Sequence, residues 1–312
     1  VTSGGPDPSA PQGELIPVAE GTYAYVTPPG GWCLSNAGVI VGPGGAIVVD
    51  TLATERRARR LAEQVDALAP GPGRTLVNTH FHGDHTFGNG VFGRGATIVA
   101  HERARPEMAA TGLALTGLWP DVAWGDVEVV LPTVTVGDRA TLWLGDRRVG
   151  LVAVGPAHTT HDLAVWLPGE RTLFAGDVVL SGATPFVLFG SIAGSLAAVE
   201  RLRALDPVTV VCGHGPVAGP EVFDETVDYL RWVQDLAADG HARGLAPLAL
   251  AREAAPGPFP HLIDGERIVG NLHRAYAELP GVDPAARAPV DPAEAFRQMV
   301  ELNGGDLPTC LA

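Results

Sequence analysis

Lysine is missing from all 312 residues: every one of the 21 basic side chains is arginine. No Schiff base and no phosphate-loop lysine can therefore operate in this chain. Cysteine is scarce as well. Cys33, Cys212 and Cys310 are odd in number and widely spaced, which argues against a disulfide framework and for a reducing compartment. The N-terminal stretch carries no basic, apolar export signal, and no apolar run approaches membrane length. A cytoplasmic location with no membrane attachment is the expectation. Positive charge is in deficit too. A net charge of −14 and a pI of about 5.0 exclude a nucleic-acid backbone as a natural partner.

What is present divides into three parts. Residues 1–14, rich in Gly, Pro, Ser and Asp, read as a disordered leader. Strand patterns follow over 15–27, 37–41 and 46–51, then apolar residues at helical spacing over 54–68. Further strands are expected at 74–77, 97–100, within 127–154, and at 162–167, 172–175 and 208–212. Helices are expected at 102–110 and 195–205. Strands and helices alternate in two successive blocks, an α/β pattern that predicts two facing sheets with helices outside, over 15–220. From 221 to 312 the pattern turns to helix, at 221–239, 246–254, 266–279 and 292–303, as an appended extension.

The densest chemistry lies in Thr79-His80-Phe81-His82-Gly83-Asp84-His85. Three imidazoles and a carboxylate within six positions are the donors that bind zinc and similar ions. The short strand before them places the cluster at a strand's carboxyl end. Residues two apart on an extended chain share a face, so His80 and His82 can hold one ion. Gly83 permits a turn that aims Asp84 and His85 at a second. Three more metal-type residues, His158, Asp177 and His214, each follow an apolar strand and are flanked by glycine or proline. A lone loop histidine is more often an ordinary hydrogen-bonded residue; the recurrence of this placement favours metal ligation.

This set, His80-x-His82-x-Asp84-His85 followed by His158, Asp177 and His214, resembles the signature of the metallo-β-lactamase superfamily. The resemblance implies an αββα sandwich with a C-terminal helical extension and two metal ions between the sheets. It implies that His80, His82 and His158 hold the first ion, Asp84, His85 and His214 the second, and that Asp177 bridges them. Two Zn2+ are the expected cofactors, although these nitrogen and oxygen donors also suit iron or manganese. Two such ions, two carboxylates and a bridging hydroxide leave a formal charge of about +1, which can polarise a carbonyl and hold an oxyanion. Asp84 and Asp177, with that hydroxide, are the expected catalytic groups. His82 stands where flavodiiron-type redox members of the superfamily carry glutamate, and Asp177 stands where one class of β-lactamases carries a zinc-binding cysteine.

Outside the ligands, segments 30–38, 111–120, 181–191 and 303–312 are similar to the second-ring cyclases of aromatic polyketide pathways, the actinorhodin type. That resemblance runs from about residue 15 to the end of the chain. It implies a poly-β-ketone thioester on an acyl carrier protein as partner and substrate, an aldol condensation with loss of water that closes the second ring, and hydrolysis of the thioester. With lysine absent, the imine route to such an aldol step is closed, leaving enolate chemistry to the metal centre. An apolar, flat-sided pocket is expected, with Trp32, Leu115, Leu118, Trp119, Phe186, Leu188 and Phe189 as wall candidates. Arg267, Asn271, His273, Arg274 and Tyr276, on the helix predicted over 266–279, are candidates to meet the carrier arm or the carrier protein, against the simpler expectation of a solvated helix face. The alternative reading is a general hydrolase of glutathione-type thioesters or of lactones.

Overall fold

Alternating apolar residues build two sheets in a computed structural model that describes residues 12–71, 73–93, 95–255, 257–279 and 290–312. Of the expected leader, residues 1–11 lie outside the described residues. The first sheet runs in sequence order: β1 (Glu14–Ala19), β2 (Thr22–Val26), β3 (Ala37–Gly42), β4 (Gly45–Val49), β5 (Arg74–Val77), β6 (Thr97–His101) and β7 (Val134–Val136). It is antiparallel up to β4 and parallel from β4 to β7. The second sheet has the order β12-β11-β10-β9-β8, from β8 (Arg139–Leu144), β9 (Arg147–Ala153), β10 (Leu163–Leu167), β11 (Thr172–Gly176) and β12 (Thr209–Cys212).

The period of two decides what each strand buries. Ile47 and Val49 of β4, Val77 of β5 and Val99 of β6 face Leu163, Val165, Phe174 and Val211 of the other sheet. The intervening Val48, Leu76 and Ile98 face outward onto Leu61 and Val65 of helix α1 (Glu55–Leu68), which presents its apolar stripe at spacings of three and four. On the far side, Leu173, Ala175 and Val210 meet Ala198, Val199 and Leu202. The result is the expected αββα sandwich.

Between the sheets' ends lie three shorter helices, α2 (Gly83–Thr86), α3 (Ala104–Thr111) and α4 (Ala114–Leu118). The outer layer of the second sheet is α5 (Ile192–Arg203) together with the start of α6 (Val222–Ala242). Helices α7 (Pro247–Ala254), α8 (Arg267–Glu278) and α9 (Pro292–Leu302) then pack with α6 around Leu230, Leu250, Leu272 and Met299. Among the described residues no helix is long and apolar enough to cross a membrane.

Three local expectations change. Residues 127–133 form no strand, and pairing with β6 begins only at Val134, after Pro132, which has no N–H to donate. Helix α5 starts three residues before 195 because the Ser191 side chain caps it, accepting from Gly194 N at 3.0 Å. The residues after His82 coil into α2 and a 3-10 turn (Phe87–Phe92) rather than a loop.

The sandwich places its chemistry at one edge. Asp50 follows β4, the His80–His85 cluster follows β5, His158 follows β9, Asp177 follows β11 and His214 follows β12. Closeness of the two sheets is tested at Gly38, where a Cβ would lie 2.4 Å from the Phe174 ring. Gly38→Ala is expected to cost about 1–3 kcal/mol in denaturant unfolding through overpacking. Gly117→Ala, with open space around it on α4, is expected to be neutral or stabilising by up to about 1 kcal/mol. Equal effects at the two sites would contradict the packing described.

Candidate metal centre

Seven side chains that are far apart in the chain converge at this edge. His80 Nε2 and His82 Nδ1 are 3.1 Å apart, and His158 Nε2 is 2.9 Å from the same His82 nitrogen. His85 Nε2 lies 3.6 Å from Asp84 Oδ2, and His214 Nε2 lies 3.4 Å from it. Asp177 stands between the two groups, with Oδ1 3.2 Å from His85 Nε2 and Oδ2 3.4 Å from both His158 Nε2 and His214 Nε2. These donors form triads in which every ligand atom is within 4.8 Å of the others: His80, His82, His158, and Asp84, His85, His214, with Asp177 close to His80 and His85.

The spacing fits ions. Zinc–nitrogen bonds of about 2.0–2.1 Å in a tetrahedron put neighbouring donors about 3.3 Å apart. Burial gives a second test. Among the described residues His85 Nε2 and Asp177 Oδ1 are buried and lack hydrogen-bond partners although they face each other. Buried polar atoms left in this state require something between them. The donor set could hold two divalent cations.

Four of the five ligand histidines are braced at their other nitrogen; His82, whose Nε2 is buried without a hydrogen-bond partner, is the exception. Thr79 Oγ1 donates to Asp50 Oδ2 at 2.8 Å and accepts from His80 Nδ1 at 3.0 Å. His85 Nδ1 donates to that same Asp50 oxygen at 2.8 Å, and Thr79 N donates to Asp50 Oδ1 at 2.8 Å. One buried carboxylate thus sets the tautomer of two ligands, one in each triad. His158 Nδ1 donates to Phe186 O, and His214 Nδ1 to Gly31 O at 3.1 Å. A Cβ on Gly213 would lie 1.9 Å from Asp177 Oδ1, so glycine is what lets β12's loop pass that close. Sequence reasoning missed Asp50. The signal was available, since it is a carboxylate ending an apolar strand, as Asp177 is.

Electrostatics divide the set in two. Burial disfavours charge on all these groups. At His214 the Asp177 and Asp84 carboxylates outweigh burial and push the imidazole up to about 9. His85 is raised in the same way by Asp177, Asp84 and Asp50. Asp84 and Asp177, raised by burial alone, end well below the carboxylate range under the charges of His85 and His214. At His80 and His82 burial and neighbouring imidazoles outweigh the pull of Asp177, and at His82 also of Asp84, and hold both down, His82 at about 3. Protons on His85 and His214 therefore occupy places that a metal ion would take.

Beside the cluster is a cavity of about 590 Å3 whose wall includes His82, Asp84, His158, Asp177 and His214. Of the expected wall residues, Trp32, Leu115, Leu118, Phe186, Leu188 and Phe189 line it, joined by Phe81 and Phe87. Three others stand behind the wall. The Trp119 indole is buried and donates to Pro308 O at 2.7 Å, tying the C-terminal tail under the pocket. Asn271 is fully buried because its amide spans the 185–187 strap, accepting from Val187 N at 2.9 Å and donating to Pro185 O at 2.7 Å. Arg274 donates to Leu188 O at 2.7 Å. None of the three contacts the cavity, which corrects their expected role.

Arg267 also departs from expectation. It is buried rather than solvated, because Asp264 pairs with it at 2.8 Å and Trp32 offers its ring face 4.3 Å away. It lines the cavity, as do Glu107 of α3 and Phe296 of α9, none of which was singled out as a wall residue. The Asp264 partner of Arg267 is local, but the Trp32 ring that faces it comes from the other end of the chain.

Two outcomes follow. Asp50→Ala is expected to weaken metal affinity about 10- to 100-fold, measured by chelator competition, because two ligands lose their orienting acceptor; unchanged affinity would contradict the brace. The second concerns pH. Unfolded histidine titrates near 6.5, so in metal-stripped protein His80 and His82 make stability rise with pH up to about 6.5. The raised His85 and His214 make it fall again as pH climbs, for His214 through about 9. Chemical denaturation from pH 5 to 9 is expected to show a maximum near pH 6.5 for stripped protein and a plateau above it for metal-loaded protein, whose imidazoles hold no proton to lose. A plateau in both forms would contradict the charge assignment.

Comparison with known proteins places this geometry. The sequence model of the metallo-beta-lactamase superfamily matches residues 30–214, more than half of the chain. A hydroxyacylglutathione hydrolase of Rhodospirillum rubrum is 31% identical over 209 residues, covering 64% of this chain and 74% of that protein. A linear primary-alkylsulfatase of a Pseudomonas species is 24% identical over 86% of this chain, which spans only 60% of that relative's length. Among solved structures, a metallo-beta-lactamase from Pontibacter korlensis shares the fold with a TM-score of 0.56 at 20% identity, over 70% of this chain and 99% of that one. Fold, family match and the convergence of donors at one sandwich edge agree: the chain belongs to the metallo-beta-lactamase superfamily.

Proposed function

We propose that this chain is a dinuclear metallohydrolase and cyclase that closes the second ring of an aromatic polyketide and releases it by thioester hydrolysis. The substrate in this reading is a poly-β-ketone with its first ring closed, carried on an acyl carrier protein. One observation carries the reading: three of the four segments that resemble second-ring cyclases line one cavity, and the fourth packs behind its wall. Residues 30–38 contribute Trp32 and Cys33, residues 111–120 contribute Leu115 and Leu118, and residues 181–191 contribute Phe186, Leu188 and Phe189. The tail supports the wall through a bridge between Cys310 and Trp32 and through Pro308.

The cavity's size is that of a pocket for a drug-sized ligand, about 300–1,000 Å3. Its aromatic rings stand edge-on to one another, Trp32 to Phe186 at 5.2 Å and Phe186 to Phe189 at 6.2 Å, and leave flat faces for a planar ring system. Divalent ions in this donor set supply Lewis acidity toward a carbonyl oxygen and a nucleophile available at neutral pH. The chain's own residues do the rest. Asp50 and the backbone acceptors fix the imidazoles, the aromatic wall orients the substrate beside them, and Phe81 and Phe87 exclude water.

A glutathione-type thioester is the second reading, favoured by the hydroxyacylglutathione hydrolase relative. Glutathione brings carboxylates that call for cations. Among the described wall residues Arg267 is the one arginine, and Asp264 already neutralises it. A polar, anionic carrier finds little here to hold it.

Steady-state kinetics on two probes separate the readings. A bulky aryl β-ketoacyl thioester of N-acetylcysteamine is expected to exceed S-lactoylglutathione by about 100-fold or more in kcat/KM, about 2.7 kcal/mol of differential transition-state binding. The reverse order would overturn the proposal in favour of the glutathione reading.

A further inference from the structure

Apart from the metal-type donors, Glu107 is the one carboxylate in the cavity wall among the described residues. Its position in the first turn of α3 would suit a solvated acid that merely answers the helix dipole. The surroundings say otherwise, because another loop reaches across to hold it. Thr160 Oγ1 donates to Glu107 Oε1 at 2.8 Å. His161 Nδ1 lies 2.8 Å from that hydroxyl oxygen and 3.5 Å from the carboxylate. Since the hydroxyl gives its single hydrogen to Glu107, the proton between Thr160 and His161 comes from Nδ1.

His161 is itself buried, stacked 5.7 Å from His101 and tilted against Phe81 at 5.6 Å. Burial first, then the charges of His101 and Arg103, hold its pKa at about 4. At neutral pH it is an uncharged donor that orients the carboxylate without forming an ion pair. Its Nε2, buried with no partner, then carries only a lone pair. Oε2 of Glu107 has no partner among the described residues, and the side chain is 37% exposed. Thr160 also lies two residues beyond His158, so one loop presents a metal-type donor and steadies Glu107.

We propose that Glu107 is a catalytic residue of the ring closure, moving the protons that the aldol condensation requires. This rests on the cyclase reading above. In the first step Oε2 takes a proton from the carbon between two carbonyls, and the C–H pair shifts to form the enolate. The enolate carbon bonds to the facing ketone carbon, and protonated Glu107 returns its proton to the resulting alkoxide. Glu107 then takes the second proton from the same carbon, the C–OH bond breaks, and Glu107 gives that proton to the departing hydroxide. Water leaves and the carboxylate is restored. Asp84 and Asp177 are less suited to this work, because electron density donated to bound cations would leave their oxygens less basic.

The test uses metal-loaded wild type and Glu107→Gln with three readouts. The first is proton–deuterium exchange at the α-carbon of an aryl β-ketoacyl thioester in D2O, followed by NMR. The second is hydrolysis of a simple acetyl thioester, and the third is binding of 1-naphthol to metal-stripped protein, read by tryptophan quenching. Glu107→Gln is expected to lose exchange by about 100-fold or more, the usual size of a general-base contribution, and to lose at least about tenfold less in thioester hydrolysis and in naphthol affinity. Glu107→Asp should recover much of the exchange. Exchange at the wild-type rate in Glu107→Gln overturns the inference and leaves the cyclase reading standing. A parallel fall of exchange and hydrolysis also overturns it, because Glu107 would then be supporting the site as a whole. If wild type hydrolyses thioesters but never exchanges the α-proton, the cyclase reading itself fails and this inference falls with it.

Discussion

The structure is organised around polar groups that the protein alone cannot satisfy. Imidazoles and carboxylates are buried together at the carboxyl ends of strands, with donor atoms about one ligand edge apart, His85 and Asp177 facing each other at 3.2 Å without a well-formed hydrogen bond and His82 Nε2 without a partner. Burying such groups without partners costs several kcal/mol each. A fold keeps them only if something else is gained. Here the sandwich supplies rigid strand ends, Asp50 fixes the tautomers of His80 and His85, and glycine at 213 allows Asp177 to sit between the triads. Loss of one brace disturbs both triads, because a single carboxylate serves both.

The second constraint is what lies next to the polar cluster. The cavity wall is drawn from the loop after β2, from α3 and α4, from the strap at 186–189, and from α8 and α9. The helical extension is therefore part of the site: Asn271 and Arg274 shape the strap from behind, and Arg267 supports Trp32. The polar donor cluster is thus set directly against an aromatic chamber.

Much of the fold was legible because the strands obey a strict period of two and α1 a period of three and four. The ligands were legible for a simpler reason: a metal donor at the end of an apolar strand is an anomaly in its local context. The wall was harder to read. Trp32, Leu115, Leu118, Phe186 and Phe189 were found, yet Trp119, an aromatic in the same segment as Leu118, turned away to bond Pro308. A large apolar residue carries no mark of whether it faces a cavity or a core. Asn271, Arg274 and Arg267 were misplaced because the partners that bury or commit them, such as Leu188 and Trp32, come from segments dozens of residues away or more. Glu107 was invisible for the same reason, since Thr160 and His161 define it only in three dimensions.

The central claim is that these seven side chains bind two ions side by side next to the aromatic chamber. Anomalous diffraction at the zinc edge from crystals grown with zinc tests it most directly. Two peaks are predicted, one at bonding distance from His80, His82 and His158, the other from Asp84, His85 and His214, with Asp177 reaching both. A map with no peak among these residues, or with ions held only elsewhere on the chain, would contradict the account.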